Sequence, residues 1–570
     1  MAIFVRIAGP IIKAGLPKLG YLRSRFLWEQ TNHTKASMVI KLEKVLISDE
    51  VDPKCVNILQ NNGVEVVKNT KLSKEELLAE IPKYDGLIVR SATKVTADVI
   101  NAGTNLRIIG RAGTGVDNID TEAATRKGVI VMNTPGGNTL SAAEHTCTLI
   151  IALTRNLGAA SMSMKEGRWD RKKFMGSELY GKTLAIIGLG RIGKEVALRM
   201  QSFGMTTIGF DPIVSPAESA EFNTESLSLE EIWPRADFIT VHTPLIPQTK
   251  HLLCDATFAK CKKGVKVVNC ARGGVIEEAA LLRALESGQC GGAGLDVFVE
   301  EPPKDYTLAK HPNVIATPHL GASTIEAQTR VAEDIAQQFV DLAQGKSLFG
   351  AINAPALANA LSPATQPWVQ LGDRLGAVGS LLSKNMSITN VEVVMFGEPL
   401  KKAGTFLIAS VMAGFLKTSA IDNGDLVPIS LNLVNAPIYA KQSGVVTTST
   451  YKEGSDSTYV RIDLQGAGGE VLQVCGTVAG SECELLSVQG CAFGVPANLS
   501  GNVIVYRVHK EIPLADIISA AAKDGAQVRA VSTSELKNSQ AFGVLSLNAP
   551  VSPGLTNLNS VVSVAYPASL

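Results

Sequence analysis

No stretch of the 570-residue sequence stays apolar for the roughly 18 residues that a bilayer-spanning helix needs. The longest candidate, Phe406 to Leu416, reads instead as a core helix. Aromatic residues make up only 5% of the chain, too few for base-stacking surfaces. An excess of either charge is lacking too. With 54 Lys and Arg against 53 Asp and Glu, the formal net charge is +1, which offers no field for nucleic acid or an anionic membrane. The cysteines (Cys55, Cys147, Cys254, Cys261, Cys270, Cys290, Cys475, Cys483 and Cys491) form no CxxC pair. They read as reduced intracellular thiols rather than a disulfide framework, and no metal site is expected.

A chain of this length is too long for one hydrophobic core, and about three or four domains are expected. Residues 1–37 carry Arg6, Lys13, Lys18, Arg23, Arg25 and Lys35 against a single acid, Glu29. That pattern suits an organelle transit peptide; an upstream start before Met38 is the plainer reading. The segment is set aside as a presequence or disordered extension. A cytoplasmic location is expected, or a mitochondrial one if the segment is a transit peptide.

From Lys44 onward, short β-branched runs alternate with helical stretches: Lys44–Ser48, Val64–Val67, Gly86–Arg90, Leu106–Gly110 and Val129–Asn133. Such alternation means βαβ units around a buried parallel sheet. One long helix is read from Ser141 to Gly167. A second series follows: Thr183–Leu189, Thr206–Asp211, Asp237–His242, Val265–Asn269, Gly294–Val297 and Val314–Thr317. The helix Thr324–Gln344 is long enough to return to the first block. The expected fold is therefore α/β, with two doubly wound Rossmann-like domains, the first discontinuous, followed by α+β C-terminal domains. The boundaries are 43–138 plus 324–346 for the first domain and 139–323 for the second. Ala351–Ser362, rich in Ala, Asn and Pro, reads as a linker. Beyond it, 355–500 and 501–570 read as regulatory or assembly modules, with strands at Val391–Val394, Val445–Thr448, Tyr459–Leu464, Val471–Val474, Val503–Val508 and Phe542–Leu547. Helices are read at Gly404–Thr418 and Leu514–Lys523.

The strongest local signal is Gly188-Leu189-Gly190-Arg191-Ile192-Gly193. A GxGxxG alone is weak, but this one follows a strand and opens a helix. There Gly188 allows the tight turn, Gly190 lets backbone approach a pyrophosphate, and Gly193 packs helix on strand. Asp211 ends the next strand, where a carboxylate accepts hydrogen bonds from the ribose hydroxyls. The following Pro212 and Ile213 offer no cation for an extra phosphate, so NAD is favoured over NADP.

Oxidising an alcohol beside a carboxylate needs a cation for the carboxylate, a base for the hydroxyl, and a partner that orients the base. Of the seven histidines, His33 and His509 lie in the extension and the tail, His145 lies mid-helix, and His251 and His311 lie in loops. His242 and His319 both follow strands, and position alone puts His319 only slightly ahead. Arg272, after the strand VKVVN, suits a bidentate grip on a carboxylate as well as an ordinary turn. Glu301, before Pro302-Pro303, reads locally as a solvated loop acid.

Longer motifs narrow these choices. VRSATKVTADVI (Val89–Ile100), GRAGTGVDNID (Gly110–Asp120), VMNTPGGNTLSAAE (Val131–Glu144), GLGRIGKEVA, VNCARGGVIEE, LDVFVEEPP and PHLGAS occur in that order. Together they resemble the D-isomer-specific 2-hydroxyacid dehydrogenase family, in its long animal form, over about Val45 to Ala354 and more weakly through the tail. The resemblance implies an NAD-dependent enzyme with Arg272 on the substrate, His319 as acid/base and Glu301 as its partner. It places Thr114, Arg191, Ile192, Asp211, Thr243, Cys270, Ala271, Arg272, Asp296, His319, Gly321 and Ala322 at the cofactor, with Gly188, Gly190 and Gly193. Arg90, Ser91, Arg111, Gly113 and Gly115 face the cleft, with Arg90 and Arg111 expected on a substrate phosphate. The implied reaction is oxidation of 3-phospho-D-glycerate to 3-phosphohydroxypyruvate, opening the phosphorylated route to serine. A glyoxylate or hydroxypyruvate reductase and an NAD-sensing corepressor-like scaffold are the alternatives. The tail resembles an allosteric substrate-binding-like domain followed by a divergent ACT-like domain. It lacks a His…Pro-Gly loop before Leu514, so serine feedback is not expected. The expected partners are a small phosphorylated hydroxy acid and further copies of the chain, as a dimer or tetramer, without nucleic acid or membrane.

Overall fold

The computed structural model describes residues 41–358, 360, 362–423, 431–507, 514–523, 525–549 and 561–565. The expectations for residues 1–37, for His33 and His509, and for the loop before Leu514 lie outside these residues. Among the described residues, no helix is long and apolar enough to cross a membrane.

Five short strands form the first sheet: β1 (Lys44–Ile47), β2 (Glu65–Lys68), β3 (Gly86–Val89), β4 (Ile108–Arg111) and β5 (Ile130–Asn133). Their order is β2-β1-β3-β4-β5, and every pair is parallel. β3 and β5 are buried at every position, as parallel strands between helical layers must be. One of those layers is the distant helix Ile325–Ala343, whose Val331, Ile335 and Phe339 join Val45, Ile88, Ile108 and Met132 in one core. Gly110 makes the approach possible: a Cβ there would lie 2.4 Å from the Phe339 ring and 2.8 Å from Ile335.

The second sheet holds seven parallel strands in the order β12-β11-β10-β9-β6-β7-β8. They are β6 (Thr183–Ile187), β7 (Thr206–Phe210), β8 (Thr224–Ser226), β9 (Phe238–Val241), β10 (Val265–Asn269), β11 (Cys290–Leu295) and β12 (Val314–Ala316). Strand order reverses between β6 and β9, and that switch point opens the crevice where doubly wound sheets hold ligands. The helix read over Ser141–Gly167 is two helices, Thr139–Thr154 and Leu157–Lys165, because Asn156 takes a left-handed conformation at φ +51°.

The α/β reading holds, and α+β sheets follow it. β13 (Ile388–Phe396), β14 (Val446–Lys452), β15 (Tyr459–Gly466), β16 (Val471–Ala479), β17 (Glu482–Val488) and β18 (Cys491–Asn498) form a mixed sheet, with β13 and β14 parallel. The helices Gln366–Leu382 and Gly404–Asn423 pack against it. A four-stranded antiparallel sheet combines β19 (Asn502–Arg507), β20 (Val528–Thr533), β21 (Phe542–Leu547) and β22 (Val561–Ala565). The segment read as a linker is fastened down instead. The Asn353 side chain accepts from the Val131 amide at 2.8 Å and donates to Val129 O at 2.9 Å, while Ala354, Ala356 and Leu357 are buried.

Candidate active site

The cleft is lined by loops that leave the carboxyl ends of strands from both parallel sheets. On the first sheet, the buried Asp49 carboxylate just beyond β1 fixes the loop after β3. It accepts from Arg90 N at 2.6 Å, Thr93 N at 3.1 Å and Thr93 Oγ1 at 2.6 Å. The Arg90 guanidinium reaches Glu50 O at 3.3 Å, and exposed Ser91 sits beside it. From β4, Arg111 donates to Arg90 O at 3.3 Å and to Gly115 O. Burial, and next the neighbouring Arg272, push its pKa down to about 10, so it remains a cation near neutrality. The loop Gly113-Thr114-Gly115 is tied to the neighbouring chain: Thr134 N donates to Gly113 O at 3.0 Å, and Thr114 Oγ1 bonds Asn138 Oδ1 at 2.6 Å.

On the second sheet, Gly188 turns the chain at φ +100°, and a Cβ there would lie 2.5 Å from His242 O. Gly193 presses its helix onto that turn, since its Cβ would come within 2.0 Å of Gly188 O. Gly190 opens on empty space and begins the helix Arg191–Gln201 without any side-chain cap. The amides of that first turn are therefore free for an anion, as a dinucleotide pyrophosphate requires. Ile192 packs into the core beneath it, and Arg191 is exposed. Thr243 lies against Gly188 and buries a hydroxyl that has no hydrogen-bond partner, a second polar group in the same crevice. Asp211 accepts from Leu189 N at 2.9 Å and Ile213 N at 2.8 Å, which locks the acid to the glycine turn. Glycine turn, uncapped helix, orphan hydroxyl and acid together fit NAD.

The rest of this rim is built from the loops that follow β10, β11 and β12. The buried Asn269 at the end of β10 shapes the next turn, accepting from Ala271 N at 3.0 Å and donating to Arg272 O at 2.8 Å. Cys270 beside it is raised to about 12, chiefly by burial, and is an unreactive thiol. Arg272 leaves this turn and crosses the cleft, donating through Nε to Asp117 Oδ2 at 3.1 Å. Asp296, at the end of β11, is fully enclosed and accepts from Thr317 Oγ1 at 2.6 Å, Leu320 N at 2.7 Å and Gly321 N at 2.8 Å. His145, Cys270 and Asp296 offer ligand atoms within 4.8 Å of one another. The Asp296 oxygens are committed to that loop, however, so its carboxylate acts as a hydrogen-bond hub. Burial alone would raise the Asp296 carboxyl, but the bonds from His145, Thr317, Leu320 and Gly321 bring it below its usual range.

That hub holds His319 in place. Its backbone amide donates to Asp296 O at 2.9 Å, and its φ of +55° lies in the left-handed region, where a β-carbon is strained. Ala322, three residues on, is fixed by a 2.8 Å bond from Gln328 Nε2. His319 Nδ1 lies 2.7 Å from Glu301 Oε2. The hydrogen bond and charge of Glu301 raise the His319 pKa, while burial and the nearby Arg272 oppose them without cancelling the effect. Glu301 moves the other way. Burial raises its carboxyl, but the bonds from His319 and the Phe298 amide outweigh that and leave it lowered. His242, the rival, is half-buried, lowered to about 4 by desolvation, and bonded to Thr240. It is a neutral neighbour of the glycine turn.

The structure thus brings Arg272, Glu301 and His319 to one rim of the cleft, with Arg90, Ser91, Arg111, Gly113, Thr114 and Gly115 on the other. Asp49, Asp117, Asn269 and Thr317 do as much to hold the site, and sequence reading passed over all of them. Asn269 alone carried a local signal, as a polar residue ending an apolar strand before a turn.

Residues 147–321 match the model of the D-isomer specific 2-hydroxyacid dehydrogenase NAD binding domain, and residues 364–488 match that of the D-3-phosphoglycerate dehydrogenase intervening domain. The chain is 50% identical over 535 residues to D-3-phosphoglycerate dehydrogenase of Rattus norvegicus, covering 92% of this chain and 98% of that protein. It is 51% identical over 517 residues to D-3-phosphoglycerate dehydrogenase of Homo sapiens, covering 89% and 95%. Among solved structures, a glyoxylate reductase from Paecilomyes thermophila is similar at a TM-score of 0.51 and 28% identity, over 55% of this chain and 98% of that one.

Proposed function

The chain belongs to the D-isomer-specific 2-hydroxyacid dehydrogenase family, an NAD-dependent class of oxidoreductase, and from that premise we propose a chemistry for its cleft. The reaction is oxidation of 3-phospho-D-glycerate at C2 to 3-phosphohydroxypyruvate, the first step of phosphorylated serine biosynthesis. The observation that carries the proposal is the 2.7 Å His319–Glu301 pair beside Arg272, on the rim next to the glycine turn.

Glu301, accepting from Nδ1, leaves the Nε2 lone pair of His319 free to take the C2 hydroxyl proton. The imidazolium that forms is stabilised by the Glu301 carboxylate, consistent with the raised His319 pKa. Arg272 holds the C1 carboxylate and fixes the plane of the reacting carbon. Arg90 and Arg111 take the phosphate, with Ser91 and the loop from Gly113 to Gly115 completing the pocket. Gly188, Gly190, Arg191, Ile192, Gly193, Asp211 and Thr243 would hold NAD, which would supply the acceptor for the hydride that leaves C2. Thr114, Cys270, Ala271, Asp296, Gly321 and Ala322 would complete that site, and closure of the cleft would exclude water.

The proposal divides the chain into a substrate-binding unit, 43–138 with 324–346, an NAD-binding unit, 139–323, and the tail units 355–500 and 501–570. It extends to a cytoplasmic homo-oligomer. Leu157, Met162, Met164, Trp169, Met175 and Tyr180 are all exposed in one stretch of chain, large apolar and aromatic side chains of the kind a second copy would cover. The test is NADH formation from 3-phosphoglycerate with the product trapped, run beside D-glycerate and glycolate. Turnover highest on the phosphorylated acid supports the proposal. Preference for glycolate points to a glyoxylate reductase, and no turnover on any of the three points to a cofactor-sensing scaffold.

A further inference from the structure

Arg272 and Asp117 come from different sheets and lie 155 residues apart, yet they meet at 3.1 Å across the cleft. The guanidinium is held at two points. Nε donates to Asp117 Oδ2, and Nη1 donates to the carbonyl of Ala271 at 2.6 Å. No other hydrogen bond from the Arg272 guanidinium is present among the described residues, so both hydrogens on Nη2 and one on Nη1 stay uncommitted. An arginine presents five N–H donors in one plane. Fixing Nε and one side of Nη1 sets that plane and leaves the end-on Nη1/Nη2 edge for a second carboxylate.

The loop is built to admit this contact. A Cβ on Gly115 would lie 1.8 Å from Arg272 Nη2 and 2.7 Å from Asp117 Oδ2, so only glycine lets the pair form. Arg111 fixes the carbonyl of that same glycine, holding the loop from which Asp117 projects. Asp117 is exposed, and an exposed ion pair adds little to stability. Its consequence is orientation.

We propose that Asp117 is a positioning residue for Arg272: a carboxylate from the first sheet's loop aims the guanidinium of the second at the substrate carboxylate. Grip on the substrate thereby depends on how the two halves of the cleft sit together. The inference rests on the reading of Arg272 as the carboxylate clamp.

Steady-state kinetics of the full-length enzyme with 3-phosphoglycerate, alongside NADH binding followed by fluorescence, test it. Asp117→Ala is expected to raise KM about tenfold and change kcat less than about threefold, because it removes aim rather than chemistry. NADH affinity is expected to stay unchanged. Asp117→Asn, whose amide oxygen still accepts from Nε, is expected to restore most of the loss. In an Arg272→Lys background, which lacks the fork, Asp117→Ala should add nothing further. An unchanged KM in Asp117→Ala overturns the proposal, and so does a lowered KM, which would make Asp117 a competitor of the substrate. A parallel loss of NADH binding overturns it as well, by showing general damage. If Arg272→Lys itself leaves KM and kcat unaffected, the carboxylate-clamp reading fails instead.

Discussion

His319 and Glu301 are separated by 18 residues and arrive from different strand ends, yet their side chains share a 2.7 Å hydrogen bond. The histidine reaches it from a left-handed backbone conformation that Asp296 holds in place. Holding a strained residue in a single pose is what a proton acceptor needs, since its lone pair must meet the hydroxyl without searching.

The pair sets the expected pH dependence. Glu301 raises the His319 pKa above its ordinary value of 6.5. Oxidation needs the neutral imidazole, so kcat/KM should climb with pH through that raised pKa and level off above it. Glu301→Gln removes the charge that favours imidazolium, so the rising limb should move to lower pH. The plateau should fall by about 10²-fold as orientation is lost. A pH profile of kcat/KM checks both effects, and a limb that stays in place contradicts the pairing.

Cofactor choice should follow Asp211. Its carboxylate, proposed to accept from the ribose hydroxyls, also receives the Leu189 amide of the glycine turn. The wild-type enzyme is expected to favour NAD by kcat/KM. Asp211→Ala should reduce kcat/KM with NAD about tenfold or more, by removing both sets of bonds, and should affect NADP less. Equal kcat/KM values for the two cofactors in the wild type would contradict this.

Arg90 should read the phosphate. Arg90→Ala is expected to raise KM for 3-phosphoglycerate by about ten- to a hundredfold, the range for a charge-assisted contact. KM for D-glycerate should hardly move. An equal rise for both acids would mean that Arg90 shapes the cleft without contacting phosphate.

Much of this architecture was visible in the chain. The glycine turn, the strands that flank it and Asp211 announce themselves locally, because a buried parallel strand is a short apolar run and a dinucleotide turn needs glycines at fixed spacing. The helix Gln366–Leu382 was missed because Gly372, Gly376 and Gly379 argue against a helix by propensity. Tertiary packing overrides them. Cβ atoms at Gly372 and Gly376 would lie 2.1 Å from Ser410 Oγ and 2.0 Å from Val411 O, so these glycines let two helices touch. β18 was hidden for a related reason, since Gly494 and Pro496 argue against a strand, whereas β17 shows the polar and apolar alternation of a half-buried strand over Glu482, Cys483, Glu484 and Leu485 and was legible. At the site, the longer motifs singled out His319, Arg272 and Glu301 where position alone did not. Asp117 and Asp49 carry no local signal. Each is an acid in a loop whose partner lies 40 or more residues away, and only the folded cleft brings them together.

The most direct test is turnover of His319→Ala on 3-phosphoglycerate, with NADH binding measured on the same preparation. The account predicts cofactor binding like that of the wild type and a kcat lower by about 10²- to 10⁴-fold, the contribution of a positioned general base. Near-normal turnover by a variant that still binds NADH would contradict the assignment of proton transfer to His319.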